Sequence, residues 1–225
     1  MIPPHLFRQP KGSDLIDLTE LREEVAHVKG NGGGNPRVHP NGFIQLDLEP
    51  VPDTWHSSHQ QGHSGAARRL HIWNPPDVKL PRQDTVHEIH DHVFDMRSTV
   101  VKGELWQRRF AFEVGGQKAP THELYRAVYA KNSDSRLEAL GVLGIVRPIE
   151  RYAVDEGSSY TQAAGTFHDT ETPMGLVVTV MEKTAIVYQQ AHVLVPTHSD
   201  VDNEFDRASA APAEMLWEAI ERSLA

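Results

Sequence analysis

Two histidines set two positions apart are the residues in this chain best spaced for chemistry: His90 and His92, in the run Val86-His87-Glu88-Ile89-His90-Asp91-His92-Val93. On an extended strand successive side chains alternate faces, so His90 and His92 project together while His87 does not join them. Neutral imidazole suits Zn, Fe, Cu and Ni, and the pair is therefore half of a metal site. A third ligand is expected from His168, in Gly165-Thr166-Phe167-His168-Asp169, on a second strand-like segment far downstream. In a small β barrel, strands distant in sequence meet across the interior, which lets three inward histidines converge.

Other residues are candidates for roles around such a centre. Arg97 follows the metal strand and can clamp a substrate carboxylate with its planar fork, or serve as a surface ion-pairing arginine. Tyr160 can hydrogen-bond a bound oxygen species, or pack as a wall aromatic. Asp91 sits between the two ligands, faces away from them, and is either a solvated carboxylate or an acceptor that orients a histidine. Arg108, Arg109 and Lys183 are weaker anion-site candidates. His56, His59 and His63 lie in a polar loop without a fixing framework, and His122, His192 and His198 lack a ligand-spaced partner, so these six read as non-functional or structural.

The elements that must position these residues are mostly strands. Asp14 to about Val28 reads as a helix, with Leu15, Leu18, Leu21, Val25 and Val28 at helical spacing and Asp14 as N-cap. The run Gly30-Asn31-Gly32-Gly33-Gly34-Asn35-Pro36 ends it; lacking the Gly-Lys-Ser/Thr ending of a phosphate loop, it reads as a connector. From Gly42 the period becomes that of strands: 43–48, 69–73, then about 85–93, 97–114, 122–131, 137–147, 150–155, 159–169, 174–183 and 185–195, punctuated by glycines and Pro173. An acidic loop at 200–206 and a short helix from about Pro212 close the chain, with Met215, Leu216, Ile220 and Leu224 on its buried face. Many strands with frequent turns and no alternating helices argue for an all-β sandwich or barrel. The expected organisation is a helix and Gly-rich connector over 1–41, a barrel over 42–198, and an acidic loop with a helix over 199–225.

Composition narrows the function. The chain has 225 residues, enough for one substantial core. A net charge of −9 with no evident basic face argues against a nucleic-acid partner. No run approaches the roughly 18 apolar residues of a membrane span, and the N-terminus lacks the pattern of a signal peptide. The absence of cysteine excludes disulfide scaffolds, thiolate metal sites and cysteine nucleophiles. A cytoplasmic protein is expected, monomeric or homodimeric, with no membrane partner.

The histidine-bearing segments resemble the cupin superfamily over roughly residues 69–195. Its first motif is matched by His90-Asp91-His92 through Gly103, and its second by Gly165 and His168. The usual glutamate four or five places after the second histidine is replaced by Met96 and Arg97, so the resemblance implies a three-histidine site. It also implies a double-stranded β-helix, the jelly-roll barrel, here with N- and C-terminal helical extensions. Within the cupins, Ile89-His90-Asp91-His92, the strand ending Ile72-Trp73, and Tyr160 eight residues before His168 are similar to the thiol dioxygenases, of which cysteine dioxygenase is one. In that family a ferrous ion on three histidines binds O2 and the substrate sulfur. The family's Ser-x-His-x-Tyr triad is absent; the corresponding strand is Thr179-Val180-Met181-Glu182-Lys183.

Three neutral histidines leave a divalent ion with its charge nearly undiminished and with open positions. Two adjacent ones let substrate and O2 bind together, whereas zinc would acidify a bound water. The expected cofactor is Fe(II), with Zn, Ni or Mn as alternatives, and the expected partners are a small-molecule substrate and O2. The expected function is a non-haem iron dioxygenase acting on a small organic substrate bearing a thiol or a carboxylate. The alternatives are a non-catalytic binding or regulatory cupin and a metal-free isomerase or epimerase, the latter using a histidine base and a tyrosine acid.

Overall fold

The structure is a computed structural model, and it describes residues 16–32, 34–49, 67–80, 89–115, 119–129, 134–172, 175–188, 190–199, 204–206 and 211–225. Asp17, not Asp14, caps the first helix: its carboxylate accepts the Thr19 backbone N–H at 2.6 Å, and α1 runs over Leu18–Gly30. Leu21, Val25 and Val28 form the buried stripe that their spacing predicts. The chain's second helix, α2, spans Ala213–Leu224 behind Pro212 and buries Leu216, Trp217, Ala219, Ile220 and Leu224. Met215 is only partly buried.

Between the helices the chain forms twelve described strands: β1 Arg37–Val38, β2 Ile44–Glu49, β3 Arg68–Trp73, β4 Phe94–Lys102, β5 Glu104–Val114, β6 His122–Tyr129, β7 Asp134–Asp155, β8 Ser159–Gln162, β9 His168–Glu171, β10 Val177–Ile186, β11 Ala191–Pro196 and β12 Glu204–Asp206. They make two antiparallel sheets, ordered β1-β2-β3-β10-β4-β8 and β11-β6-β7-β5-β9, with β12 paired to β7. The β-rich fold is as expected; among the described residues it is a two-sheet sandwich rather than a closed barrel.

Several boundaries differ from expectation for identifiable reasons. The stretch 97–114 splits at Gly103, whose φ of +84° reverses the chain between β4 and β5. A Cβ there would lie 2.4 Å from the Leu176 carbonyl oxygen, so only glycine fits. The stretches 137–147 and 150–155 fuse into β7 across Pro148, because β6 pairs only as far as Gly144 and no neighbour on that side needs the missing N–H. Conversely, 159–169 breaks into β8 in the first sheet and β9 in the second, with a turn at Gly165 (φ +74°).

Alternation along the strands sorts side chains into two cores. In the first sheet Leu70, Ile72, Val178, Val180 and Val101 face the helices and pack with Leu21, Val25, Leu216 and Ile220. Met96, Val100, Tyr160, Val177 and Met181 face the other way, against Leu105, Tyr125, Tyr152, Val154 and Val195 of the second sheet. Each fully buried Leu, Ile or Val contributes on the order of 1.5–3 kcal/mol, so both layers hold the first sheet rigidly. The candidate metal ligands sit at the edge of the inter-sheet layer.

Candidate metal centre

His90 and His92 do not lie in a strand. Residues 91–93 carry no ladder, β4 begins only at Phe94, and His90 is held by isolated bridges to His168 and Val193; the start of the expected strand, 85–88, lies outside the described residues. The shared direction of the two rings nevertheless survives, because the segment stays pinned. His90 exchanges backbone hydrogen bonds with His168 at 3.0 and 2.9 Å, Asp91 N–H donates to the His192 carbonyl at 3.0 Å, and Gly165 N–H donates to the His92 carbonyl at 2.9 Å.

His168 opens β9 and closes the triad. The ring centroids are 4.9 Å apart for His90 and His92, 4.6 Å for His90 and His168, and 4.9 Å for His92 and His168. One ligand nitrogen from each ring lies within 4.8 Å of the others, so the three can hold one metal ion. His168 is 3% exposed, and its Nδ1 lies 3.0 Å from the Thr166 carbonyl. That acceptor fixes the Nδ1–H tautomer and leaves Nε2 as the free ligand atom. Phe94 stacks on His92 at 4.7 Å and fixes its ring plane.

The electrostatics suit a cation. Burial, then the neighbouring His90, pushes His168 down to about 3. Burial also holds His90 low, and His92 well below its ordinary value, the latter with contributions from His168, His90, Arg69 and His39. All three rings are therefore neutral near pH 7, the state in which imidazole is a ligand. The donor set, three neutral nitrogens without thiolate or carboxylate, fits Fe, Zn, Ni or Mn alike.

Residues that sequence spacing did not single out hold the triad. Asp95 accepts the Ala164 N–H at 2.8 Å and ties the turn before His168 to β4. Gln162 donates to the Thr166 carbonyl at 3.3 Å. Asp91 faces away from the ligands, as expected. It is not solvated: it is 5% exposed and accepts both the backbone N–H of His192 at 2.5 Å and its Nδ1 at 3.0 Å. His192 is thus a structural partner that anchors β11. The Asp95 and Asp91 contacts have no spacing signature, since each joins segments distant in sequence.

Tyr160 and Arg97 are placed elsewhere. Tyr160 is 4% exposed within the inter-sheet core, and its hydroxyl accepts from Gln107 Nε2 at 3.0 Å. Burial pushes that phenol up, away from acid catalysis near neutrality. Arg97 alternates with Met96 and Ser98, is paired in register with Glu182 and Thr161, and brings Nη2 to 3.5 Å from Ser159 Oγ. It therefore stands on the face of β4 opposite Phe94 and Met96. Arg108 grips Asp169 with two nitrogens at 2.7 and 2.5 Å, Arg109 bonds Glu150 at 2.9 Å, and Lys183 lies 4.7 Å from the Phe94 ring centroid. His56, His59 and His63 lie outside the described residues.

No protein-family model matches the chain, and no curated protein matches it. The triad's own geometry is what argues for function.

Proposed function

We propose that this protein is a metal-dependent cupin and, within that class, a non-haem iron dioxygenase acting on a small organic molecule that bears a thiol or a carboxylate. The observation that carries the metal reading is the convergence of His90, His92 and His168, whose ligand atoms lie within 4.8 Å of one another. Iron rather than Zn, Ni or Mn is supported by the likeness of Ile89-His90-Asp91-His92, and of the Tyr160-to-His168 spacing, to the thiol dioxygenases. When bound, ferrous iron supplies adjacent exchangeable positions at which a small substrate and O2 meet.

The chain's own part is positioning. Burial keeps the imidazole lone pairs available at neutral pH, the Thr166 carbonyl turns Nε2 of His168 inward, and Phe94 holds the plane of His92. We place the protein in the cytoplasm as a monomer or homodimer; none of its described helices is long and apolar enough to cross a membrane.

The test is metal analysis of protein prepared without a polyhistidine tag, followed by anaerobic Fe(II) reconstitution and O2-uptake screening with small thiols and carboxylates. Near-stoichiometric iron and substrate-dependent O2 uptake are expected. Stoichiometric zinc without O2 uptake would overturn the oxygenase assignment, and no metal after reconstitution would overturn the metal site.

A further inference from the structure

His92 is held differently from His168. The Thr166 carbonyl fixes the ring of His168 at Nδ1, but among the described residues no hydrogen bond reaches the ring of His92. Its ring neighbours are His90 and His168, each at 4.9 Å, and Phe94, which lies 4.7 Å away and within 15° of parallel. A ligand histidine ordinarily has its second nitrogen hydrogen-bonded, and that bond sets the ring's orientation. For His92 the task falls to the Phe94 stack.

Phe94 is itself covered by a charge. Lys183 brings Nζ over the face of the Phe94 ring, 4.7 Å from its centroid, and the lysine is only 8% exposed. An ammonium so deep is costly to desolvate, and the electron-rich face of a ring is a partner that offsets part of the cost. The strands are built to make this contact. Lys183 stands opposite Met96, and β10 then carries one extra residue, so that Ala185 meets Asp95 and Ile186 meets Phe94. Met96 and Phe94 belong to the inter-sheet core, so Lys183 shares their face and reaches the ring diagonally. Its backbone N–H donates to the Ala67 carbonyl at 2.8 Å and pins β10 at the bulge that aims the side chain.

We infer that Lys183 is a positioning residue for the metal centre: through the face of Phe94 it fixes the ring of His92, a stack serving where His168 uses a hydrogen bond. The inference rests on the metal reading for its purpose; the ordering of the His92 ring stands without it. The contribution is that of the charge and not of the side chain's bulk. Methionine fills much the same space but offers the ring no cation, whereas arginine keeps the cation and stacks on aromatic faces.

Two measurements separate the parts. In Co(II) titrations followed by the cobalt absorption bands, Lys183→Met should bind the metal about three- to ten-fold more weakly, the scale of one partly desolvated cation–π contact. Its bands should differ from the parent's at unchanged stoichiometry, and Lys183→Arg should keep the parent's bands. In a Phe94→Leu background Lys183→Met should change nothing further, because the link is already cut; any other contact of the ammonium is lost in both backgrounds alike. In metal-free protein, imidazole NMR signals of His92 should broaden in Lys183→Met while those of His168 keep their parent widths. Parent affinity and bands in Lys183→Met, or the same loss with and without Phe94, would overturn the role. Absence of cobalt uptake by the parent would overturn the metal reading by itself, and His92 signals unchanged in metal-free Lys183→Met would overturn the positioning role separately.

Discussion

His90 and His168 are paired twice over. Their backbones exchange two hydrogen bonds, at 3.0 and 2.9 Å, and their imidazole centroids lie 4.6 Å apart. Side-chain chemistry and chain connectivity therefore depend on the same two residues, and substitution can separate them. His168→Gln removes the imidazole but keeps the backbone pair, so the variant should fold. Its metal affinity should drop by more than the about 10–100-fold typical of losing an outer-shell partner. In the parent, metal at a hundred-fold excess over its Kd should add about 2.7 kcal/mol of stability, and a chelator should remove it. Metal analysis and melting temperatures check this; chelator sensitivity preserved in the variant would remove His168 from the site.

The metal-free protein should weaken in acid. Burial, with His90, brings His168 to about 3, and burial, with Arg69, brings His71 to about 3, both from 6.5. Below about pH 6.5 the unfolded chain takes up protons that these folded rings refuse, so stability falls as pH drops toward about 3. His192 has the opposite sign: the Asp91 hydrogen bond raises it, so its contribution is complete below about 6.5 and fades as pH rises through its folded value. Urea midpoints of chelated protein should decline with acidification, and less steeply in His168→Gln. A flat parent profile would contradict the burial of neutral rings.

Asp91→Ala should destabilise the fold without emptying the metal site. It leaves the His192 backbone N–H and Nδ1 without their acceptor, a loss of about 1–3 kcal/mol. Urea unfolding measures the cost, and titration of His192 by NMR should show its value falling toward the ordinary 6.5. Loss of metal binding in the folded variant would show that Asp91 supports the ligands as well as β11.

Two glycines should respond differently to alanine. At Gly103 the φ of +84° costs about 1–3 kcal/mol for a non-glycine residue, and the Cβ adds a contact at 2.4 Å with the Leu176 carbonyl. At Gly165 the φ of +74° carries a similar backbone cost, but the added contact is with the Tyr188 ring edge at 2.9 Å, an exposed side chain that can swing aside, rather than with backbone. Gly103→Ala should therefore lower the melting temperature more. Gly165→Ala should mainly weaken metal affinity, because its turn delivers His168. Equal melting losses with unchanged metal affinity would refute this division.

The sequence carries a strong signal for the three ligand positions and a weak one for what surrounds them. His90 and His92 are legible by spacing, and His168 by the glycine turn before it, although the pair sits in a bridged segment rather than a strand. The stack of Lys183, Phe94 and His92 was not legible: no spacing joins residues so far apart, and only the register of β10 against β4 puts the lysine over the ring. Arg97 illustrates the converse, since nearness to the ligands in sequence says nothing of strand face, and parity sends it to the other side of β4. The helices were legible from their apolar stripes, but the cap of α1 is set by which aspartate reaches the Thr19 N–H, which periodicity does not encode.

The position of His90 has one more consequence. In the second sheet the outermost strands are β9 and β11, and His90 bridges both, to His168 and to Val193. Exposed strand edges are templates on which other chains can add strands. A single residue here occupies part of each edge, so a metal that keeps His90 in place would also guard against aggregation. Prolonged metal starvation would then register as slow self-association of the protein as well as lost chemistry.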